Sequence, residues 1–433
     1  MMSVYTCVLR YDVAAHCMTP FYTGAGETGA LLRDACGAPF LQGAGIRGAL
    51  RTWLTAHGSE PQQEALFGGK GVLRVSDGRF AADAEVVVRG GNGIDWQTGA
   101  ASKGLFKADC LPTGSEFYFC LIWQGAEADL ADAEAGLDTL LSALHQGEIR
   151  LGGRNTTDFG RVVLRGQRRT YRLKQEADRA AWLSPENDWP EEMPSHACRP
   201  LRLDCPVKSG RVRFTVVGNL EKVLVEGSNP ESREVRKAFS EGGRFLIPAS
   251  TLRGTLRASA EGVLAAQDLR NTALIETLFG ACAGRARKAV RGEVVVSDAE
   301  VLKAEAAGIY RIRVDCFSGA LQGRKRMELK VVGGELHKLE ISAPPDGKGC
   351  MLLLLALRDI GLGLWGIGAA TAVGCGVPAD MEITAHVPGR GEVKLTVDRQ
   401  HGCRVDDPAG VAEEWTKEWR EYCEAGKRNA AHP

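Results

Sequence analysis

Gly243-Arg-Phe-Leu-Ile-Pro-Ala-Ser-Thr-Leu-Arg-Gly-Thr-Leu-Arg257 is the stretch on which the reading of this chain turns. A looser copy stands in the first half, Gly37-Ala-Pro-Phe-Leu-Gln-Gly-Ala-Gly-Ile-Arg-Gly-Ala-Leu-Arg51. In both, two arginines sit four residues apart, which places them on one helix face. Ile46, Leu50, Trp53 and Leu54 recur at helical spacing, so this segment opens a helix.

Working outward, further blocks recur in the same order. Leu66-Phe-Gly-Gly69 matches Leu278-Phe-Gly-Ala281, and Gly71-Val-Leu-Arg-Val-Ser-Asp-Gly78 matches Gly292-Glu-Val-Val-Val-Ser-Asp-Ala299. Ile94-Asp-Trp-Gln-Thr-Gly-Ala-Ala101 matches Val314-Asp-Cys-Phe-Ser-Gly-Ala-Leu321. Each copy closes on a glycine loop, Leu151 to Arg161 and Gly366 to Gly376. Blocks repeated in order, with spacing that drifts only through loops, point to a duplicated domain.

The elements between the blocks supply the architecture. Val4 to Val13, Gly71 to Val75, Phe117 to Trp123 and Arg161 to Leu164 read as strands, and Leu130, Leu137, Leu140, Leu141 and Leu144 mark a second helix. The second copy repeats the order: a strand from Arg211 to Val217, a helix from Leu252, strands from Glu293 and Leu336, and a helix near Met351. The order β-α-β then β-α-β is that of a split βαβ, ferredoxin-like domain. The expected fold is therefore α+β: two tandem ferredoxin-like domains with inserted hairpins, plus a C-terminal helix. The expected boundaries are 1–167, a proline-rich linker at 168–204, 205–388, and a helical appendage at 389–433. Asp407-Pro408 reads as the start of the last helix and Gly426 as its stop, with Val411, Trp415, Trp419 and Tyr422 as a stripe that packs on its own domain.

Composition bounds the function. The 433 residues carry 54 Lys+Arg against 54 Asp+Glu. Zero net charge disfavours a polyanion binder that uses its whole surface and leaves room for a local basic groove. Glycine, at 53 of 433 residues or about 12%, exceeds the average of ~7% and points to many tight turns. No apolar run is long enough to span a membrane, and no secretory leader is legible. The 13 cysteines lack a Cys-x-x-Cys pair, which reads as reduced thiols in a cytoplasm. His196, Cys198 and Cys205 come nearest to a metal cluster but lack paired spacing, and no metal site is assigned to them.

The repeated blocks resemble the RAMP superfamily of CRISPR-associated proteins, in particular the backbone subunits of type III effector complexes. The hallmark of that family is an apolar-Pro-Gly-Ser-Ser-apolar-Arg-Gly-x-x-Arg segment, to which Leu246 to Arg257 is a close match. In Leu41 to Arg51 the Pro and both Ser are replaced. The resemblance implies RRM-related domains with a protruding hairpin thumb, stacked along a guide RNA, with the thumb displacing guide–target bases. It implies guide CRISPR RNA, complementary target RNA and other effector subunits as partners, and the fused copies suggest a type III-D-like arrangement. A standalone endoribonuclease that processes guide precursors is the alternative, though no His–Tyr–Lys set is evident. An unrelated α+β interaction protein is the third.

Candidate RNA contacts are Arg47, Arg51, Ser250, Arg253 and Arg257 at the helix starts, where arginine forks and helix N-termini suit phosphate. Gly152, Gly153, Arg154 and Arg161 of the first glycine loop, with Lys103, extend the set, because glycines admit a backbone to a phosphate. Arg324, Lys325 and Arg326 flank the strands where a thumb would lie, and Arg285, Arg287, Lys288 and Arg291 form a second basic cluster. The loop from Gly366 to Gly376 has no basic residue, so the first copy is expected to grip RNA more strongly there.

Some family members cut target RNA with an Asp ahead of the signature helix, assisted by a divalent metal such as Mg or Mn. The equivalent loop here, Gly24 to Asp34, lacks Asp at the usual position. Asp34 is the first catalytic candidate and Glu27 the second. A turn-stabilising Asp and a solvated Glu are equal alternatives.

Overall fold

A computed structural model describes residues 5–24, 29–69, 71–91, 106–184, 199–207, 209–225, 235–269, 273–281, 289–312, 314–320 and 327–431. The chain divides into two compact units. The first comprises Met1–Val88, Ala108–Asn155 and Phe159–Ser209; the second comprises Gly210–Pro433 together with Arg89–Lys107 and Thr156–Asp158.

In the first unit, strand β1 (Cys7–Cys17) leads to helices α1 (Gly43–His57) and α2 (Glu60–Phe67) and to strand β2 (Gly71–Val75). Strand β3 (Glu116–Gly125), helix α3 (Leu130–His145) and strand β4 (Val162–Arg172) complete the set. The central β1 pairs antiparallel with β3, Tyr11 opposite Leu121, and with β4, Tyr11 opposite Arg168. With β2 on the outer side of β3, the sheet order is β4-β1-β3-β2, the order of a ferredoxin-like domain.

The sheet takes this form because alternate residues of the central strands are apolar on the helix side. Leu9, Tyr11 and Val13 of β1 and Phe117, Phe119, Leu121 and Trp123 of β3 are buried against Ile46, Leu50 and Leu54 of α1 and Leu137, Leu140, Leu141 and Leu144 of α3. Each such side chain contributes about 1.5–3 kcal/mol of burial. Trp123 keeps its indole satisfied by donating to the Ala65 carbonyl at 2.8 Å. β1 begins and ends later than the periodicity predicts, because its pairing with β3 and β4 runs on through His16 and Cys17.

The second unit repeats the plan: β5 (Val212–Val223), α4 (Ala249–Ala266), α5 (Ala273–Phe279), β6 (Ala299–Arg311), β7 (Met327–Ala343), α6 (Gly347–Gly361) and β8 (Pro378–Val387). Phe214 of the central β5 sits opposite Ile341 of β7 and Ala385 of β8. The counterpart of β2 shrinks to Val295–Val296, paired with β7. β6 and β7 instead form a long antiparallel hairpin, Tyr310 opposite Glu328 and Arg311 opposite Met327.

The segment after Pro388 is more than a helix. β9 (Gly391–Asp398) extends the sheet beyond β8, and β10 (Gly402–Asp406) pairs with β9. Val393, Leu395 and Val397 then enter the core of the second unit. Helix α7 (Val411–Ala431) starts three residues beyond the expected Pro408, after Gly410 at φ +69°. Asp407 still caps it, accepting from the Val411 amide at 2.9 Å and the Ala412 amide at 2.7 Å. Gly426 does not end this helix but lies inside it. A Cβ there would stand 2.5 Å from Leu269 Cδ2, so the glycine admits a packing neighbour. The stripe packs as expected: Val411, Trp415 and Trp419 are buried, and Trp415 lies 6.3 Å from the Phe214 ring.

The stretch 168–204, expected as linker, holds the end of β4, a helix at Glu176–Leu183 and a short strand at Arg199–Pro200 paired with Gln167 and Arg168. His196 and Cys198 lie outside the described residues. No described helix is long and apolar enough to cross a membrane.

Candidate nucleic-acid interface

The repeated Ser-Asp blocks build the seat of the signature helix. At the end of β2, the Asp77 carboxylate accepts the amide of Gly43, the first helical residue of α1, at 2.7 Å. Asp298 accepts the amide of Ala249, the first of α4, also at 2.7 Å. The preceding serines tie these corners to the neighbouring strand: Ser76 Oγ accepts from the Cys120 amide at 2.9 Å and Ser297 Oγ from the Glu340 amide at 2.8 Å. A carboxylate thus already sits at the positive end of each helix, where an incoming phosphate was expected.

The first arginine of each pair turns back onto the Leu-Phe-Gly block or the strand that follows it. Arg47 Nε donates to the Leu73 carbonyl at 3.2 Å, and its guanidinium lies 5.3 Å from the Phe67 ring centroid. Arg253 Nη2 donates to the Phe279 carbonyl at 3.1 Å, and the guanidinium carbon lies 5.2 Å from the Phe279 ring centroid. Burial, and then the neighbouring Arg257 charge, hold the Arg253 guanidinium down to about 10. Of the second arginines, Arg257 donates to Glu261 Oε1 at 2.9 Å and to the Gly280 carbonyl at 3.3 Å. Arg51 is exposed and its side chain has no partner among the described residues. Ser250 is exposed at the second helical position of α4.

The two glycine loops share a backbone although they share few side chains. Leu151 donates to the Gly160 carbonyl at 3.0 Å, and Ile367 to the Gly376 carbonyl at 2.8 Å. Gly160 donates to Pro20 and Gly376 to Lys222; Gly153 donates to Tyr22 and Ala369 to Leu224. Even the left-handed positions correspond, Arg154 at φ 58° with Ala370 at φ 59°, and Asp158 at φ 61° with Gly374 at φ 78°. A Cβ on Gly160 or Gly376 would collide with the Leu151 or Ile367 carbonyl. Gly152 and Gly153 press against Tyr22 in the same way. The glycines are therefore set by loop closure.

Side chains distinguish the loops. Arg154 lies 5.3 Å from the Tyr22 ring, and Arg161 is half-buried. The second loop is apolar because it lies under the long hairpin: Ala369, Ala370 and Cys375 pack with Ile309, Leu329, Val331 and Leu224.

The hairpin carries exposed apolar residues that were not among the candidate contacts, although Val314 and Phe317 lie in a repeated block. Tyr310, Ile312 and Val314 are exposed, and Phe317 is 96% exposed. The turn is held by Asp315 Oδ1, which accepts from Phe317 N, Ser318 N and Ser318 Oγ. Those bonds, led by the Ser318 amide, hold the Asp315 carboxyl below its ordinary range. Alternation of apolar and basic residues from Tyr310 onward was the available signal.

The second unit also contains a buried ion cluster. Arg89 Nη1 donates to Asp298 Oδ2 at 2.7 Å, its other terminal nitrogen pairs with Glu241, and its guanidinium lies over Phe239. Burial opposes the charge on Arg89, but the carboxylates of Asp298 and Glu241 outweigh it and raise the guanidinium above its ordinary range.

Asp34 closes a turn: its Oδ1 accepts from the Cys36 amide at 2.9 Å and the Ala38 amide at 3.0 Å. Glu27, Lys103, Arg285, Arg287, Lys288, Arg324, Lys325 and Arg326 lie outside the described residues, and Arg291 is exposed. Among the described residues no three His, Cys, Asp or Glu side chains gather as a metal-holding group.

Residues 15–163 and 201–378 match the RAMP superfamily. With two ferredoxin-like sheets, two capped Arg-Gly-x-x-Arg helices and two closing glycine loops, the chain belongs to the RAMP superfamily, as two fused domains. RAMP proteins are CRISPR-associated and bind CRISPR RNA. No curated protein matches the chain.

Proposed function

We propose that this chain is a guide-RNA-binding backbone subunit of a type III-like CRISPR ribonucleoprotein, supplying two adjacent positions along the guide. The supporting observation is the β6–β7 hairpin, which presents a fully exposed Phe317 on a turn fixed by Asp315. An exposed aromatic on a hydrogen-bonded turn suits insertion beside a base, where stacking contributes about 1–3 kcal/mol. The guide backbone is tracked by arginines, since aromatics make up only 6% of the chain. Target RNA pairs with the guide, and other effector subunits continue the stack in the cytoplasm.

Target cleavage in the first domain is assigned to the loop before α1, with Asp34 and Glu27 as its carboxylates. Asp34→Ala and Glu27→Ala test it: loss of cutting with assembly retained supports the assignment, and persistent cutting by both removes it. The function itself is tested by purifying the tagged chain from its native cells and sequencing the RNA it carries. Discrete short RNAs sharing a repeat-derived end support it.

A further inference from the structure

Four arginines occupy matched positions on the signature helices, but their surroundings divide them. Arg47 and Arg253 each make one carbonyl hydrogen bond and one ring contact, which pin the helix to the Leu-Phe-Gly block and, for Arg47, also to strand β2 through Leu73. Arg257 is taken by Glu261 and the Gly280 carbonyl. The helix N-termini are no more available, because Asp77 and Asp298 occupy their first amides. Arg51 alone of the four is exposed without a side-chain partner among the described residues.

We infer that the two domains engage RNA unequally at this motif: Arg51 makes the phosphate contact, and Arg47, Arg253 and Arg257 are positioning residues that seat the helix. This rests on the guide-RNA reading above. The chemistry favours it because a guanidinium that keeps all its donors free can form a bidentate phosphate pair. One already bonded to a carbonyl and stacked on a ring must first surrender those contacts. The same imbalance runs through the glycine loops, where Arg154 of the first domain is matched by Ala370 of the second.

The test uses the full-length chain and a fluorescein-labelled single-stranded RNA of mixed sequence, titrated by anisotropy across a salt series. Melting curves are recorded for every variant. Arg51→Gln is expected to weaken binding severalfold, to reduce the salt slope by about 0.7, the value of one single-strand phosphate contact, and to leave the melting temperature unchanged. Arg47→Ala and Arg253→Ala are expected to lower the melting temperature and hold affinity within about twofold, the cost of an indirect effect being well under one lost charge contact. Arg253→Lys serves as the milder variant if Arg253→Ala fails to fold. Wild-type binding with an unchanged Arg51→Gln overturns the inference alone. Loss of affinity in Arg253→Lys with its melting temperature intact also overturns it. A wild-type chain that binds no RNA overturns both the inference and the guide-RNA reading.

Discussion

The carboxylate of Asp298 joins two structures at once: Oδ1 accepts the first amide of α4 from Ala249 at 2.7 Å, while Oδ2 takes Arg89 at 2.7 Å. Asp77 makes the same helix cap to Gly43 in the first unit. Removing a helix cap costs about 1 kcal/mol. Asp77→Ala is therefore expected to lower stability by roughly that amount. Asp298→Ala should cost about 3 kcal/mol or more, because it also strips a buried guanidinium of a counter-charge. Urea midpoints of the two variants check the ranking; equal losses would contradict it.

Loop closure makes a second prediction. Gly160→Ala and Gly376→Ala each place a methyl against a backbone carbonyl at a positive φ, Leu151 in one case and Ile367 in the other. Both are expected to destabilise by more than about 2 kcal/mol, through strain and steric conflict together. Chemical denaturation followed by circular dichroism checks this. Tolerance at either position would show that the shared loop geometry is not required.

Burial of Asp138 is expected to make stability depend on pH. Its carboxylate is buried on α3, accepting from Tyr11 Oη at 3.2 Å and Arg168 Nη1 at 2.7 Å. Burial raises its pKa, against the opposing Arg168 charge. In that direction the unfolded chain releases the proton first, so the group's contribution is fully present below the unfolded pKa, about 4. It is lost as pH rises through the folded value. Stability measured from pH 4 upward should therefore fall more steeply in the wild type than in Asp138→Asn. Parallel profiles would contradict this.

Phe317 should matter to RNA and not to folding. At 96% exposure it contributes no core burial, so Phe317→Ala is expected to leave the melting temperature unchanged. With a 2-aminopurine in the target strand, the variant should reduce base unstacking on guide pairing. Unchanged fluorescence would remove Phe317 from that role.

Much of the architecture was legible because the duplicated blocks are the parts that touch each other. The Arg-Gly-x-x-Arg helix, the Leu-Phe-Gly turn and the Ser-Asp corner recur together because each bonds to another, Arg253 to Phe279 and Asp298 to Ala249. What could not be read was which side of each motif faces ligand. The second arginine of the same Arg-Gly-x-x-Arg spelling is the exposed Arg51 in one domain and the half-buried, bonded Arg257 in the other. Gly426 was misread for a related reason: its role is set by Leu269, a residue distant in sequence that packs where a Cβ would be. The β9–β10 hairpin was signalled by the alternation of Val393, Leu395 and Val397, hidden beside the stronger aromatic stripe of α7.

The most direct test of the account is the RNA content of the tagged chain purified from its native cells. The account predicts discrete short RNAs with a common repeat-derived end, recovered with other effector subunits. Recovery of no RNA, or of random cellular fragments in place of a defined guide, would contradict it.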